Sequence, residues 1–313
     1  MSATRHLVIL NPAAAMGRAA TRLPLVQALL ERQGIDYEIR LTERAWHAAE
    51  LAQAAASEGF GVVVAAGGDG TVNEAINGLM AGAAGGDHAP ALATLGVGRG
   101  NDFAYGAGIP LRLEAAVSAL AAGKERRIDV GRVTGGDYPQ GRYFGNGIGI
   151  GFDTIVGLEA ARLKHVHGFL GYVVGALRTF MAFPPAPGIS LEHDGGRHGG
   201  KSHQISIMNG RRMGGTFFMA PAAEMDDGLL DLCMAAELNR REMAALIVAY
   251  TKGTQASHPK ISQYRSTRFH VEAPEGGLAV HADGETICRN GSALTVECFP
   301  SALRLVGVDG SRQ

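Results

Sequence analysis

The sequence predicts an α/β domain followed by a β-rich one: a three-layer α/β domain, then a β-sandwich. Three observations carry this. Over the first 125 residues, short apolar runs alternate with segments of helical periodicity, the pattern of a parallel sheet with helices on both faces. From residue 128 onward the texture changes to short strands broken by glycine. The length of 313 residues, at about 150 per domain, also suggests two domains.

The elements follow in order. Residues 6–10 form a strand, then Leu23, Val26, Leu29 and Leu30 recur at helical spacing until Gly34 stops the helix. A strand at 37–41 and an alanine-rich helix at 45–57 come next. The run VVVAA at 62–66 is a buried parallel strand by length and apolarity, and 91–97 is the fourth strand. A helix at 114–121 closes the first domain, 1–127. The second domain, 128–301, holds strands at 128–133, 143–147, 189–193, 203–208 and 229–234. Its last strand has Leu294, Val296 and Cys298 alternating with polar neighbours. Helices interrupt at 154–163, 168–180 and 240–252. The apolar stretch 302–306 is a strand that returns, with 302–313, to the first domain.

Composition excludes several classes. Hydrophobic residues make up 46%, enough for a substantial core, and the formal charge of −1 gives no basic excess for nucleic acid. Three cysteines without metal-ligand spacing imply a reduced compartment, hence a cytoplasmic location, and the N-terminus is too soon interrupted by Asn11-Pro12 for a signal peptide. The most apolar window, 168–183, contains Arg178 and falls short of the roughly 20 residues a spanning helix needs. On it Phe169, Leu170, Tyr172, Val173 and Phe180 pack in the core, line an acyl-chain cleft or meet the bilayer edge.

The chemistry concentrates in five patches. Gly67, Gly68 and Gly70 permit close backbone approach. With Thr71-x-x-Glu74 read as a capping box, they lead from a strand into a helix N-terminus, an arrangement that holds phosphate. A purely structural turn has no need of Asp69, which beside phosphate implies a metal ion or a reacting acid. The segment Gly98-Arg99-Gly100-Asn101-Asp102 directly follows the fourth strand. Gly147, Gly149 and Gly151 alternate, as in a strand closely approached by another segment. Glu224, Asp226 and Asp227 surround a glycine turn and suit a hard cation or a solvated loop. In the last patch, Asp283 and Glu285 stand two apart. An extended strand would point both carboxylates the same way, for proton abstraction or metal binding; a bare hairpin turn explains the spacing equally well.

Together, Asn11-Pro12, GGDGTVNE, GNDFA, NGRRMGG…AP…DDGLLD and DGE resemble, in order and over nearly the whole chain, the diacylglycerol-kinase catalytic family, which includes bacterial lipid kinases and the sphingosine and ceramide kinases. The resemblance implies a Rossmann-like first domain, ATP in an interdomain cleft, Mg2+ on its phosphates, and phosphoryl transfer to a lipid hydroxyl of diacylglycerol-like type. It implies nucleotide contacts from Asn11, Thr42, Gly67, Gly68, Asp69, Gly70, Thr71, Asn73 and Glu74, with Arg99, Asn101 and Asp102 on the neighbouring loop. Glu285 would accept the alcohol proton, Asp283 would support or share that task, and Asp69 would act through magnesium or assist the base. Asp227, with the carbonyls of Glu224 and Leu229, resembles a structural cation site. One departure stands out: the family's threonine is replaced by Arg99, which pairs with phosphate or blocks the pocket. Two alternatives stay open, an NAD-kinase-like enzyme for a soluble acceptor and a catalytically impaired nucleotide- or lipid-binding homologue. The expected partners are a lipid alcohol, a transient membrane surface and, through exposed strand edges, a second copy as homodimer.

Overall fold

The computed structural model describes residues 4–82, 89–98, 100–163 and 169–308; Arg99 and the side chains of Phe169, Leu170 and Tyr172 lie outside the described residues. The chain forms two compact units. One comprises residues 1–130, 225–227 and 300–313, the other 131–224 and 228–299.

In the first unit, strands β1 (His6–Leu10), β2 (Tyr37–Leu41), β3 (Val62–Gly67) and β4 (Ala91–Gly96) make a parallel sheet in the order β2-β1-β3-β4. The end of β15 (Ala293–Val306) extends it, Leu305 lying opposite Leu92. Alternate strand residues serve opposite faces. Val8, Leu10, Val62, Val64, Ala91 and Leu95 share a core with Val26, Leu29 and Leu30 of helix α1 (Arg18–Arg32) and Val117 and Leu120 of α5 (Leu113–Ala122). Leu7, Ile9, Val63 and Leu92 are buried on the other side of the sheet. Helices α2 (His47–Ala54) and α3 (Asp69–Gly82) pack tightly on each other: a Cβ on Gly78 of α3 would run into the Ala49 backbone. The short helix α4 (Asp102–Gly106) has no periodic signal in the sequence.

The second unit is a sandwich whose strand β9 (Gly196–Met208) serves both sheets. Residues 196–201 pair with β8 (Gly188–His193), and β8 pairs in turn with β12 (Arg268–Glu272). Residues 202–208 pair with β7 (Gly147–Gly151) and β10 (Leu230–Ala236). One core joins Leu191, Phe269, Val271 and Val296 of the first sheet to Ile148, Ile205, Leu232 and Val280 of the second. Helices α6 (Phe152–Ala161) and α8 (Arg240–Lys252) add Phe152, Val156, Met243, Leu246 and Tyr250 to a second core that takes in Cys233 and Ala235 of β10. The single strand expected at 143–147 is instead two, β6 (Tyr138–Phe144) and β7, broken at Gly145-Asn146. Helix α7 (Phe169–Ala182) packs on α6, where a Cβ on Gly175 would lie 2.8 Å from Ala160 N and Val156 O. No helix is long and apolar enough to cross a membrane among the described residues.

Candidate functional site

The parallel register brings the carboxyl ends of the first unit's strands level. Leu10 lies opposite both Leu41 and Ala66, and Gly67 opposite Gly96. The residues just past these ends therefore form one row along the sheet edge, where open α/β sheets hold ligands. Asn11, Thr42, Gly67–Gly68 and Val97–Gly98 occupy that row, and ladder-like bonds continue into it: Asn11 N donates to Ala66 O, Thr42 N to Leu10 O, and Gly98 N to Gly67 O.

The glycines are there because neighbouring atoms leave no room for a Cβ. A Cβ on Gly98 would overlap Gly68 Cα, and one on Gly67 would overlap the Thr71 side chain. Asn11 Nδ2 donates to Thr71 Oγ1 at 3.1 Å, tying the β1 end to the first turn of α3. That turn leaves N–H groups with no intrahelical partner, a ready anion site.

The expected capping box does not form. Helix α3 begins at Asp69, two residues before Thr71, and Glu74 turns elsewhere: its Oε2 accepts the Ala48 N–H at 3.1 Å, in the first turn of α2. Glu74 thus ties the first turn of α2 to α3. Asn73 is 1% exposed and accepts hydrogen bonds from Asn77 Nδ2, so it too serves α3. Asp69 does double duty. Its Oδ1 accepts the Phe103 N–H at 3.1 Å, holding the start of α4, while its Oδ2 makes no hydrogen bond among the described residues. Gly100 keeps that side open, since a Cβ there would stand 2.9 Å from Oδ2. Asn101 adopts positive φ (50°) at the α4 N-cap, and Asp102 is buried.

In the second unit, Asp283 and Glu285 are not neighbours on one strand face. Strands β13 (Leu278–Ala282) and β14 (Glu285–Gly291) are joined by Asp283-Gly284, whose φ values of 46° and 88° are those of a two-residue primed turn. The period-two reading fails because Asp283 is the turn itself. Its carboxylate accepts three backbone N–H groups, from Gly145 (2.8 Å), Asn146 (3.1 Å) and Gly147 (2.9 Å), while its own N–H donates to Gly147 O. Asp283 therefore pins the break between β6 and β7. Glu285, half-buried at the start of β14, makes no side-chain hydrogen bond or ion pair among the described residues.

Beside this turn lies a pairing that sequence reading missed. His281 Nε2 approaches Asp153 Oδ2 at 3.4 Å, both side chains mostly buried. Burial alone would lower the His281 pKa, but Asp153, with Asp283 nearby, raises it. Gly149 makes room for the pair: any Cβ there would overlap the Asp153 carboxylate. The alternating glycines were the available signal, and they do mark close approach. Of the acidic segment, Asp227 falls in the first unit and is exposed, while Glu224 and Leu229 are half-buried in the second. No cluster of three or more His, Cys, Asp or Glu side chains is poised to hold a metal among the described residues.

Residues 5–133 match the diacylglycerol kinase catalytic domain, and residues 146–307 match the YegS C-terminal NAD kinase beta sandwich-like domain. The chain belongs to the diacylglycerol kinase catalytic family. It is a kinase. It is 31% identical over 301 residues to the lipid kinase YegS of Escherichia coli K12, spanning 95% of this chain and 94% of that protein. Two solved Bacillus anthracis structures, described as diacylglycerol kinases (one provisionally), superpose with TM-scores of 0.77 and 0.72 at 23% and 21% identity, covering 98% of this chain and 98% and 97% of theirs. Yeast NADH kinase shares the fold more distantly, with a TM-score of 0.51 at 9% identity over 98% of this chain and 84% of that one.

Proposed function

We propose that this kinase transfers the γ-phosphoryl group of ATP to the hydroxyl of a lipid alcohol of diacylglycerol-like type. The observation that carries the reading is the glycine corner. At it the backbones after β3 and β4 meet, Asn11 is bonded to Thr71, and the N-terminus of a long helix opens directly beyond. Phosphoryl transfer is mostly positioning and charge neutralisation, and this corner supplies backbone donors on a rigid sheet edge. The lipid acceptor is supported by the name of the Escherichia coli relative, which shares the sequence over nearly its full length.

Within this reading the residues divide their roles. Asn11, Thr42 and Gly67–Thr71 bind the nucleotide, with Asn101 and Asp102 on the adjoining loop. Asp69 fits a hard divalent cation, because one carboxylate oxygen is unengaged and glycine keeps its surroundings open. Such a Mg2+ would neutralise phosphate charge when bound. Glu285 takes the alcohol proton, since it is the hairpin acid whose oxygens are not already committed; Asp283 holds the turn that positions it. Asp227 is retained as the anionic ligand of a structural cation, with Glu224 and Leu229 giving main-chain carbonyls. Contact with membrane is peripheral and transient.

The test is incubation of the purified protein with γ-labelled ATP and Mg2+ and a panel of diacylglycerol, other lipid alcohols, NAD and soluble sugars. Label extracted into organic solvent is the expected result. Label in the dinucleotide would overturn the lipid reading in favour of a soluble acceptor. Retained ATP binding with no transfer to any acceptor would overturn the activity itself.

A further inference from the structure

A helix on the surface of a water-soluble domain ordinarily turns its apolar stripe inward and its polar face to solvent. Helix α7 departs from this. Gly175, which meets α6, and Thr179, buried one turn on and bonded to the Gly175 carbonyl, define its packed side. At 100° per residue, Val173, Val174, Leu177 and Met181 lie on the opposite side, and every one is apolar. Leu177 is 59% and Met181 77% exposed, the two largest exposures of a large hydrophobic side chain among the described residues of the second unit. Helix α7 carries no acidic residue. Arg178 is exposed on the flank of this face. Arg240, at the start of α8, donates to the carbonyls of Phe180 and Met181 and lies over the Phe183 ring, so α8 begins beside the end of α7, with Arg241 next in line. Among the described residues, neither the Arg178 nor the Arg241 guanidinium makes an ion pair or hydrogen bond.

An outward apolar face flanked by guanidinium groups that pair with no described residue has the amphipathic arrangement of an interfacial helix, whose apolar side chains enter the acyl boundary while arginines stay at the headgroups. We infer that α7 is the docking surface of the protein for an anionic phospholipid bilayer, with Leu177 and Met181 inserting and Arg178 and Arg241 meeting lipid phosphates. A second copy of the chain is a poorer occupant, because an isologous contact through this face would set Arg178 against its own counterpart. The inference rests on the proposed lipid-kinase function in that it explains how the enzyme reaches an acceptor dissolved in membrane.

The experiment measures co-sedimentation of the protein, without ATP, with phosphatidylcholine vesicles and with vesicles containing one quarter phosphatidylglycerol. Leu177→Glu/Met181→Glu and Arg178→Glu/Arg241→Glu are compared with wild type, with circular dichroism checking that each folds. Binding to the anionic vesicles, reduced at least about tenfold by the first pair and about tenfold or more by the charge reversals, is the expected result. Wild-type binding that neither pair changes, or no wild-type binding, overturns the assignment. So does a concentration-dependent dimer in sedimentation velocity that Leu177→Glu/Met181→Glu dissociates. Turnover of a short-chain, water-soluble lipid alcohol separates this from the kinase proposal. Both pairs should leave it unchanged; if wild type binds vesicles through α7 yet phosphorylates no lipid, the surface stands and the substrate reading falls.

Discussion

The glycine corner of the first unit and the hairpin tip of the second handle their acids differently. At the corner a single carboxylate is split between two duties: Asp69 holds the α4 backbone through Oδ1 and leaves Oδ2 open. At the tip the duties fall to separate residues. Asp283 accepts three backbone N–H groups, and Glu285, two positions on, accepts none among the described residues. A carboxylate committed to backbone donors is costly to remove, because burying donors without an acceptor costs free energy. A carboxylate without partners costs little to the fold and keeps its oxygens for a substrate proton. Hydrogen-bond load, more than proximity in sequence, separates the anchoring acid from the one proposed to react.

The largest expected effect is on the acid with two duties. Asp69→Asn retains an oxygen for Phe103 N–H but loses the charge, so turnover should fall by about 10⁴ while the unfolding midpoint in urea hardly moves. Asp69→Ala should lose turnover equally and also loosen the start of α4. If Asp69→Asn unfolds as easily as Asp69→Ala, the anchoring duty depends on charge and the split between the two oxygens is wrong.

Glu285→Gln comes next. Turnover should drop about 10²–10⁴-fold, with nucleotide affinity intact and stability altered by less than about 0.5 kcal/mol. Near-normal turnover would remove Glu285 from the mechanism. Asp283→Ala is its counterpart: Gly145, Asn146 and Gly147 lose their acceptor, and stability should fall by about 3 kcal/mol or more in urea denaturation. Were Asp283→Ala as stable as wild type and merely slow, the comparison would collapse and Asp283 would be a chemical participant.

Much of this was legible in advance. The strands at 6–10 and 37–41 and the helix at 240–252 stand where the pattern puts them: 6–10 is nearly all apolar, 37–41 alternates apolar and charged residues, and Gly253 ends the helix. What escaped depends on tertiary contacts. Glu74 sits where a capping box would place it, yet local spacing cannot reveal that Ala48 N–H, 26 residues earlier, competes for it. The Asp-Gly pair signalled a hairpin as strongly as a strand, and only the donors at 145–147 show where Asp283 points. Residues 225–227 belong to the first unit through contacts such as Asp129 N to Met225 O, for which three residues of sequence carry no periodicity. The His281–Asp153 pair spans 128 residues and is foreshadowed only by the glycine at 149 that accommodates it.

That pair gives the smallest effect and the sharpest control on the hairpin. Burial opposes protonation of His281, but Asp153 against Nε2, with Asp283 close by, holds its pKa above the usual histidine value. A group whose folded pKa exceeds its unfolded one stabilises most below the unfolded value. That stabilisation is lost as pH rises through the folded value. Wild type should therefore exceed His281→Gln in unfolding free energy by most near pH 6, the margin shrinking as pH rises above the ordinary histidine range. His203 and His193, whose pKa values burial lowers, lose stability in the opposite direction, as pH falls; both are common to the two proteins, so the difference curve isolates His281. Urea denaturation across this range reads the margin. A margin independent of pH would mean that His281 stays neutral and supports the hairpin by packing alone, leaving the hairpin's position to Asp283 and its backbone donors.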